Sequence, residues 1–365
     1  MKTKLIAMYL PQYHRIPEND RFWGDGFTDW VAVKKSEPQY NGHIQPKVPL
    51  MGYYDLSKKE NVAWQAQLAK DNGIYGFGVY HYWFNNEQNL LTKPAEILRD
   101  NEEIDIHYFL AWDNGNWKRS WSSVDGNDWA PMAEGGKHSG PQILVPYILG
   151  REPDWERHFD YLLTHFKTDK YIKVENKPVF VIYQWSPELT EMNEYWNELA
   201  RKHDFDGVKI IYRYRGYDNM PCTETCFFYE PEYAGWKNVP VIKRKWDRLL
   251  EKLHVSQGLT MYDYDRVWQY LLKNARCNPS KTALFGAFVN YDDTPRRGKN
   301  GRVIVNSTPE KFEKYLRQLI KISEAQGKQF VFLTAWNEWG EGAYLEPDEE
   351  YGYAYLDVIK RLTAM

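Results

Sequence analysis

Two glutamates three residues apart, Glu338 and Glu341, stand in the segment Trp336-Asn337-Glu338-Trp339-Gly340-Glu341-Gly342, directly after an apolar run that ends at Ala335. Cleaving a glycosidic bond takes a carboxylic acid beside the leaving oxygen and a second carboxylate near the anomeric carbon. Tryptophan walls strip water from a carboxyl group and raise its pKa, which keeps a proton available near neutral pH. Glu338 and Glu341 are therefore expected to be catalytic, with Trp336, Asn337 and Trp339 against the substrate. The competing reading is a solvated turn whose acids serve solubility. Glu346, a few residues on, is expected either to orient the pair or to be a plain loop acid.

Three further segments place aromatic rings beside amide or imidazole donors. They are Tyr9-Leu10-Pro11-Gln12-Tyr13-His14, Tyr80-His81-Tyr82-Trp83-Phe84 and Trp112-Asp113-Asn114-Gly115-Asn116-Trp117. Sugars are recognised by such surfaces, because rings stack on the apolar faces of pyranoses while polar groups read the hydroxyls. The expected substrate contacts are Tyr13, His14, Tyr80, His81, Tyr82, Trp83, Trp112, Asn114, Asn116 and Trp117, together with Trp23 and Trp30. His14 and His81 lack partners at metal-ligand spacing, and a structural role competes with substrate binding for both. Asn290-Tyr291-Asp292-Asp293-Thr294-Pro295-Arg296-Arg297-Gly298 offers Asp292, Arg296 and Arg297, either as a self-satisfied loop network or as a reader of an anionic substrate group, since Arg pairs bidentately with carboxylate or phosphate. Asp263-Tyr264-Asp265 has the D-x-D form of metal-dependent sugar transferases. Asp204-Phe205-Asp206 shows that chance supplies the same letters, so no metal is expected.

These residues need a scaffold. Eight apolar, strand-like runs recur: Leu5–Leu10, Tyr75–Tyr80, Ile106–Ala111, Val179–Tyr183, Val208–Tyr212, Cys226–Tyr229, Ala283–Phe288 and Phe330–Ala335. Helical periodicity separates many of them, at Asn61–Asp71, Trp155–Phe166, Glu188–His203 and Val267–Lys273. Another helix opens with Thr308 as N-cap and Pro309 in its first turn and runs to Ala325; Tyr351–Leu362 closes the chain. Continuous apolar strands alternating with helices predict a parallel sheet buried on both faces, and eight of them predict a single (β/α)8 barrel over residues 1–365. A doubly wound sheet is the rival, weakened by the lack of any G-x-G-x-x-G or Walker A segment. The long irregular stretches Pro11–Ser57, Asp113–Val145 and Asn290–Ser307 each follow a strand, where a barrel keeps its active-site loops. An aromatic-lined cleft is expected there.

Composition narrows the classes. The chain of 365 residues carries 47 Lys+Arg against 50 Asp+Glu, without the basic excess that nucleic-acid binding needs. Aromatic residues make up 16%, an excess that either a large core or a ligand cleft accounts for. The N-terminal apolar run is short and stops at Pro11, and no run of about 20 apolar residues exists. A cytoplasmic protein without a membrane span is expected. Cys222, Cys226 and Cys277 are read as structural thiols.

The motifs together resemble the WbsX-type family, which carries a glycosyltransferase-like label from lipopolysaccharide and O-antigen gene clusters and is related to the family ninety-nine glycoside hydrolases. The resemblance spans nearly the whole chain. Besides the segments above, it rests on Asn19-Asp20-Arg21-Phe22-Trp23-Gly24, Gly26-Phe27-Thr28-Asp29-Trp30 and Leu345-Glu346-Pro347. It implies a (β/α)8 barrel that acts inside glycan chains with retention and without metal or other cofactor. Glu338 would draw the proton from a sugar 2-hydroxyl, giving a 1,2-anhydro sugar, and Glu341 would protonate the leaving oxygen and later activate water. One departure stands out: Gly115 occupies a place where the family usually has an acid, and Asp113 lies two residues earlier. The expected activity is glycoside hydrolysis of a polysaccharide or glycan. Glycosyl transfer in surface-polysaccharide assembly and non-catalytic carbohydrate binding are the alternatives.

Overall fold

The protein was studied as a computed structural model that describes residues 2–118, 143–216, 220–236, 258–278 and 280–364. Eight parallel strands close into a ring: β1 (Lys4–Tyr9), β2 (Gly76–Asn85), β3 (His107–Trp112), β4 (Lys177–Ile182), β5 (Lys209–Tyr214), β6 (Cys226–Phe228), β7 (Ala283–Phe288) and β8 (Phe330–Thr334). Closure is direct, because β1 pairs with both β2 and β8; Ile6 faces Gly76 on one side and Phe332 on the other. The strands are almost wholly buried, as the unbroken apolar runs require. All eight expected strands are present, so the closed barrel replaces the doubly wound alternative.

Helices α1 (Pro17–Trp23) and α2 (Trp30–Lys34) lie in the β1–β2 connection, followed by α3 (Lys59–Asp71). Then come α4 (Lys93–Asp100), α5 (Glu152–Phe166), α6 (Glu188–Arg201), α7 (Tyr264–Cys277), α8 (Thr294–Arg297), α9 (Pro309–Ala325) and α10 (Ala354–Thr363). The apolar face of α5 packs Trp155, Phe159, Leu162, Leu163 and Phe166 onto the barrel. Thr308 caps α9 by accepting from the Lys311 amide at 3.3 Å. Among the described residues no helix is long and apolar enough to cross a membrane.

The stretches expected to be irregular contain more structure than periodicity showed. Helices α1 and α2 have 7 and 5 residues, too few to display a helical repeat. Residues 302–305 pair in parallel with 260–263 outside the ring. Most of the Asp113–Val145 stretch lies outside the described residues. The D-x-D acids are engaged locally. Asp263 caps α7 by accepting from the Arg266 amide at 3.0 Å, and Asp265 pairs with Lys311 at 2.7 Å.

Candidate active site

The chain leaves β8 into a short hairpin in which Asn337–Glu338 pairs antiparallel with Ala343–Tyr344 around a single turn at Trp339–Glu341. Three clamps hold this hairpin over the barrel mouth. The Asn337 amide accepts from the Leu10 N–H at 2.7 Å and donates to the Leu10 carbonyl at 3.0 Å. The Tyr13 hydroxyl donates to the Asn337 carbonyl at 2.7 Å and accepts from the Trp339 amide at 3.1 Å. The Asp292 amide donates to the Glu341 carbonyl at 2.6 Å. The two glycines are dictated by crowding. A Cβ on Gly340 would come within 2.6 Å of the Arg296 Nε and 2.8 Å of an Asp29 oxygen. Gly342 holds φ +56° with Asp292 pressed against it.

The hairpin presents Glu338 and Glu341 to one guanidinium. Arg296, on α8, donates to Glu341 at 2.7 Å, to Asp29 at 2.7 Å and to Glu338 at 3.2 Å. Asp29 and Glu338 are buried, whereas 26% of the Glu341 side chain is open. Burial pushes Glu338 up to about 8; Arg296 pulls it back down, and Glu341 and Asp29 raise it. Burial likewise raises Glu341 against the pull of Arg296. Three carboxylates around one cation carry excess negative charge, so the cluster retains a proton near neutrality. Such a group offers both an acid and, once ionised, an unusually strong carboxylate base.

Tyrosines complete the mouth. The Tyr80 and Tyr229 hydroxyls approach to 3.4 Å, and the Tyr183 ring stands edge-on to Tyr80 at 5.4 Å. Tyr229 feels the charges of both Glu341 and Glu338, while Tyr80 and Tyr82 feel Glu338. The Gln12 amide donates to the Tyr82 hydroxyl at 3.3 Å. Trp117 packs edge-on to Tyr82 at 5.5 Å. Beside them a crevice is lined by Gln12, Asn19, Trp23, Phe27, Trp117 and Leu144, among others.

Several expected sugar contacts are buried and also brace the fold. Tyr13, Trp30, Trp112, Trp336 and Trp339 are at most 4% exposed, so their rings pack inside the fold rather than offering a face to stack on. Trp30 and Trp112 spend their indole N–H on the Tyr54 and Trp83 carbonyls, both at 2.8 Å. Trp339 stacks on Tyr344 at 3.7 Å and donates to Glu346 at 2.6 Å. Glu346 also accepts from Tyr54 and Gln65, both at 2.6 Å; burial raises it to about 7, and it anchors the hairpin from beneath.

Other expected contacts are similarly engaged. Asp292 accepts from His43, Gln45 and Thr294. Arg297 pairs with Asp293 at 3.0 Å. His14 bonds the Pro11 carbonyl at 2.8 Å. His81 meets His158 at 2.8 Å, and Trp83 stacks on that same His158 at 4.4 Å. Asn114 clasps the Gln184 backbone through both its amide groups, and Asn116 accepts from the Tyr147 amide. Gly115 has a Cβ-sized approach to Gln184 of only 2.4 Å, so Gln184 fills the space an acidic side chain would take there.

Sequence reading passed over Asp29, Tyr183 and Tyr229. Asp29 lies inside a segment quoted for its family resemblance, but its approach to Arg296 spans 267 residues, beyond any local signal.

Residues 5–359 match the family described as "Glycosyltransferase WbsX". An uncharacterised protein WxcX of Xanthomonas campestris pv. campestris is 29% identical over 99% of this chain, which spans about half (50%) of that relative's length. Among solved structures, a glycoside hydrolase-like protein aligns over 99% of this chain and 94% of its own with a TM-score of 0.60 at 12% identity. A GH99 endo-alpha-mannosidase from Bacteroides thetaiotaomicron aligns over 99% and 95% with a TM-score of 0.51 at 15% identity. These structures share the barrel fold, and the chain belongs to the family described as "Glycosyltransferase WbsX".

Proposed function

We propose that the chain is a retaining glycoside hydrolase that cleaves within a glycan or polysaccharide, with Glu338 and Glu341 as catalytic residues. The observation that carries this reading is the sharing of one guanidinium by Glu338, Glu341 and Asp29, which leaves a proton within a buried carboxylate cluster. Glu338 takes the proton of the sugar 2-hydroxyl as that oxygen attacks the anomeric carbon. The glycosidic bond breaks as Glu341 gives its proton to the leaving oxygen. Glu341 then takes a proton from water, the water oxygen attacks the anomeric carbon, and opening of the 1,2-anhydro ring returns the proton from Glu338 to O2. Burial raises both members of this coupled pair, and the mechanism draws on the state in which the shared proton sits on Glu341 and Glu338 is ionised. Arg296 keeps both glutamates in place and limits how far burial raises them.

Glycosyl transfer is the second reading, favoured by the family's description. A sugar acceptor would replace water in the second step. We place either activity in the cytoplasm, in keeping with the three free thiols, which cell fractionation tests.

The deciding experiment incubates the wild type and Glu341→Gln with a panel of defined glycans and, separately, with nucleotide sugars plus acceptors. New reducing ends from wild type alone support hydrolysis. Acceptor-dependent nucleotide release without glycan cleavage supports transfer. Wild-type turnover by Glu341→Gln would overturn both roles given to this residue.

A further inference from the structure

The barrel mouth contains a second guanidinium in the opposite condition to Arg296. Arg213 is the fifth residue of β5, so it reaches the C-terminal end of the barrel, where the active-site loops gather. Its guanidinium carbon lies 4.0 Å from the centre of the Tyr183 ring and 5.1 Å from that of Tyr229. Its Nε is sealed from solvent and has no hydrogen-bond partner among the described residues. It forms no ion pair with any described residue, in contrast to Arg215, which approaches Glu232 to 3.9 Å. Asp113 stands close enough to feel the charges of Arg213 and Arg215 without closing a bond to Arg213. Tyr229 links this place to the catalytic cluster, since it also feels Glu338 and Glu341 and touches Tyr80.

Arg213 is only half-buried, so its outer N–H groups stay open to a ligand, while the sealed Nε is costly to leave without an acceptor. Tyr183 and Tyr229, with ring centres 6.1 Å apart, flank adjacent sides of the guanidinium and hold its N–H groups in place. That fork matches a planar carboxylate bidentately. Asp113 and Glu232 act on its charge without bonding to it among the described residues, so what the fork lacks is acceptors. Arg296 and Arg297, the other candidates for reading an anion, are already spent on Asp29, Glu338 and Glu341, and on Asp293.

We propose that Arg213, packed against Tyr183 and Tyr229, binds the carboxylate of an acidic sugar unit next to the bond that is cleaved. This deepens the hydrolase reading and rests on it for the position of the scissile bond. The substrate class is then a uronate- or other carboxylate-bearing glycan rather than a neutral one.

The test measures binding, by calorimetry with the full-length Glu341→Gln protein, to a panel of uronate-containing bacterial polysaccharides and to the same polysaccharides after chemical reduction of their carboxyl groups. Sulfated and phosphorylated polysaccharides form a third arm. Expected is at least a tenfold preference for an acidic member over its reduced form. That preference should disappear on adding Arg213→Met and be partly kept by Arg213→Lys, with melting temperature confirming that each variant folds. Equal affinity for acidic and reduced forms, binding to no acidic member, a preference confined to sulfate or phosphate, or a preference that survives Arg213→Met would each overturn the proposal. Cleavage by the wild type is scored separately. A carboxylate preference that persists without cleavage upholds Arg213 and refutes the hydrolase reading instead.

Discussion

Two buried clusters of titratable side chains can be set side by side. One joins Asp29, Glu338 and Glu341 around Arg296; the other joins His81 to His158 and places His165 against Tyr108, 3.0 Å from its hydroxyl. Both are strongly perturbed. Burial raises Glu338 to about 8 and lowers His81 and His165 to about 3. The difference lies in access and in opposed charge. Glu341 keeps a quarter of its side chain open beside the buried Glu338 and Asp29, and all three surround a cation, whereas none of the three histidines is more than 4% exposed and they face one another and aromatic rings as neutral groups. A shifted pKa marks a place where charge is costly; it marks a reactive place only when a substrate can reach it.

Five substitutions break or sharpen that contrast. Glu341→Gln should have the largest effect, about a 10³-fold loss of glycan turnover, as for removal of a positioned proton donor; initial rates on a cleaved glycan measure it. Arg296→Met leaves three buried carboxylates uncompensated. It should cost about 3–5 kcal/mol of stability and shift the pH–rate profile upward, because the group that holds Glu338 and Glu341 down is gone. Urea titration and rates across pH 5–10 (roughly one unit steps, wide enough to bracket a carboxylate shift) would show a flat response if the cation is incidental.

His158→Phe should cost about 1–3 kcal/mol by orphaning His81, while the pH profile of turnover stays put. The two clusters also oppose each other in how stability follows pH. The histidines, lowered in the folded state, contribute stability above the ordinary imidazole pKa of about 6.5 that is lost as pH falls toward 3. Glu338, raised in the folded state, contributes stability below the ordinary carboxylate range that is lost as pH rises through about 8. His158→Phe should therefore flatten the acid side of the stability curve and Glu338→Gln the alkaline side. Tyr54→Phe should have the smallest effect, about 1 kcal/mol from one lost bond to Glu346, with turnover within a fewfold of wild type.

The barrel was legible because parallel strands are buried on both faces and leave unbroken apolar runs, each of which became a strand. The paired glutamates were legible because the last strand delivers them to one side of a local hairpin. What was not legible is direction. Tyr13, Trp112 and Trp336 stand at strand ends, where position suggests a lining, yet their rings turn inward: Tyr13 bonds the hairpin, while Trp112 packs against His158 and Phe180. A strand's end is written in the local sequence, whereas the way a ring turns there depends on neighbours hundreds of residues away. Asp29 was missed for the same reason, and Arg296, read as a loop group or an anion reader, had its charge already claimed. The 16% aromatic content thus serves largely as core, with a few of its rings bracing the carboxylate hairpin.

The clasp of Asn337 on both backbone groups of Leu10 continues the β1–β8 seam beyond its last strand pair, Ala7–Leu333, and past the Trp336–Met8 bond, with a side-chain amide standing in for a peptide. Here the first and last strands of the ring are joined, and the candidate catalytic hairpin sits on the join. In the proposed roles, catalysis is conditional on ring closure: a chain whose first strand has frayed from its last has no ordered place for Glu338. Activity would then report on the integrity of the whole circle, and a loosened seam would silence the enzyme before the rest of the barrel unfolds.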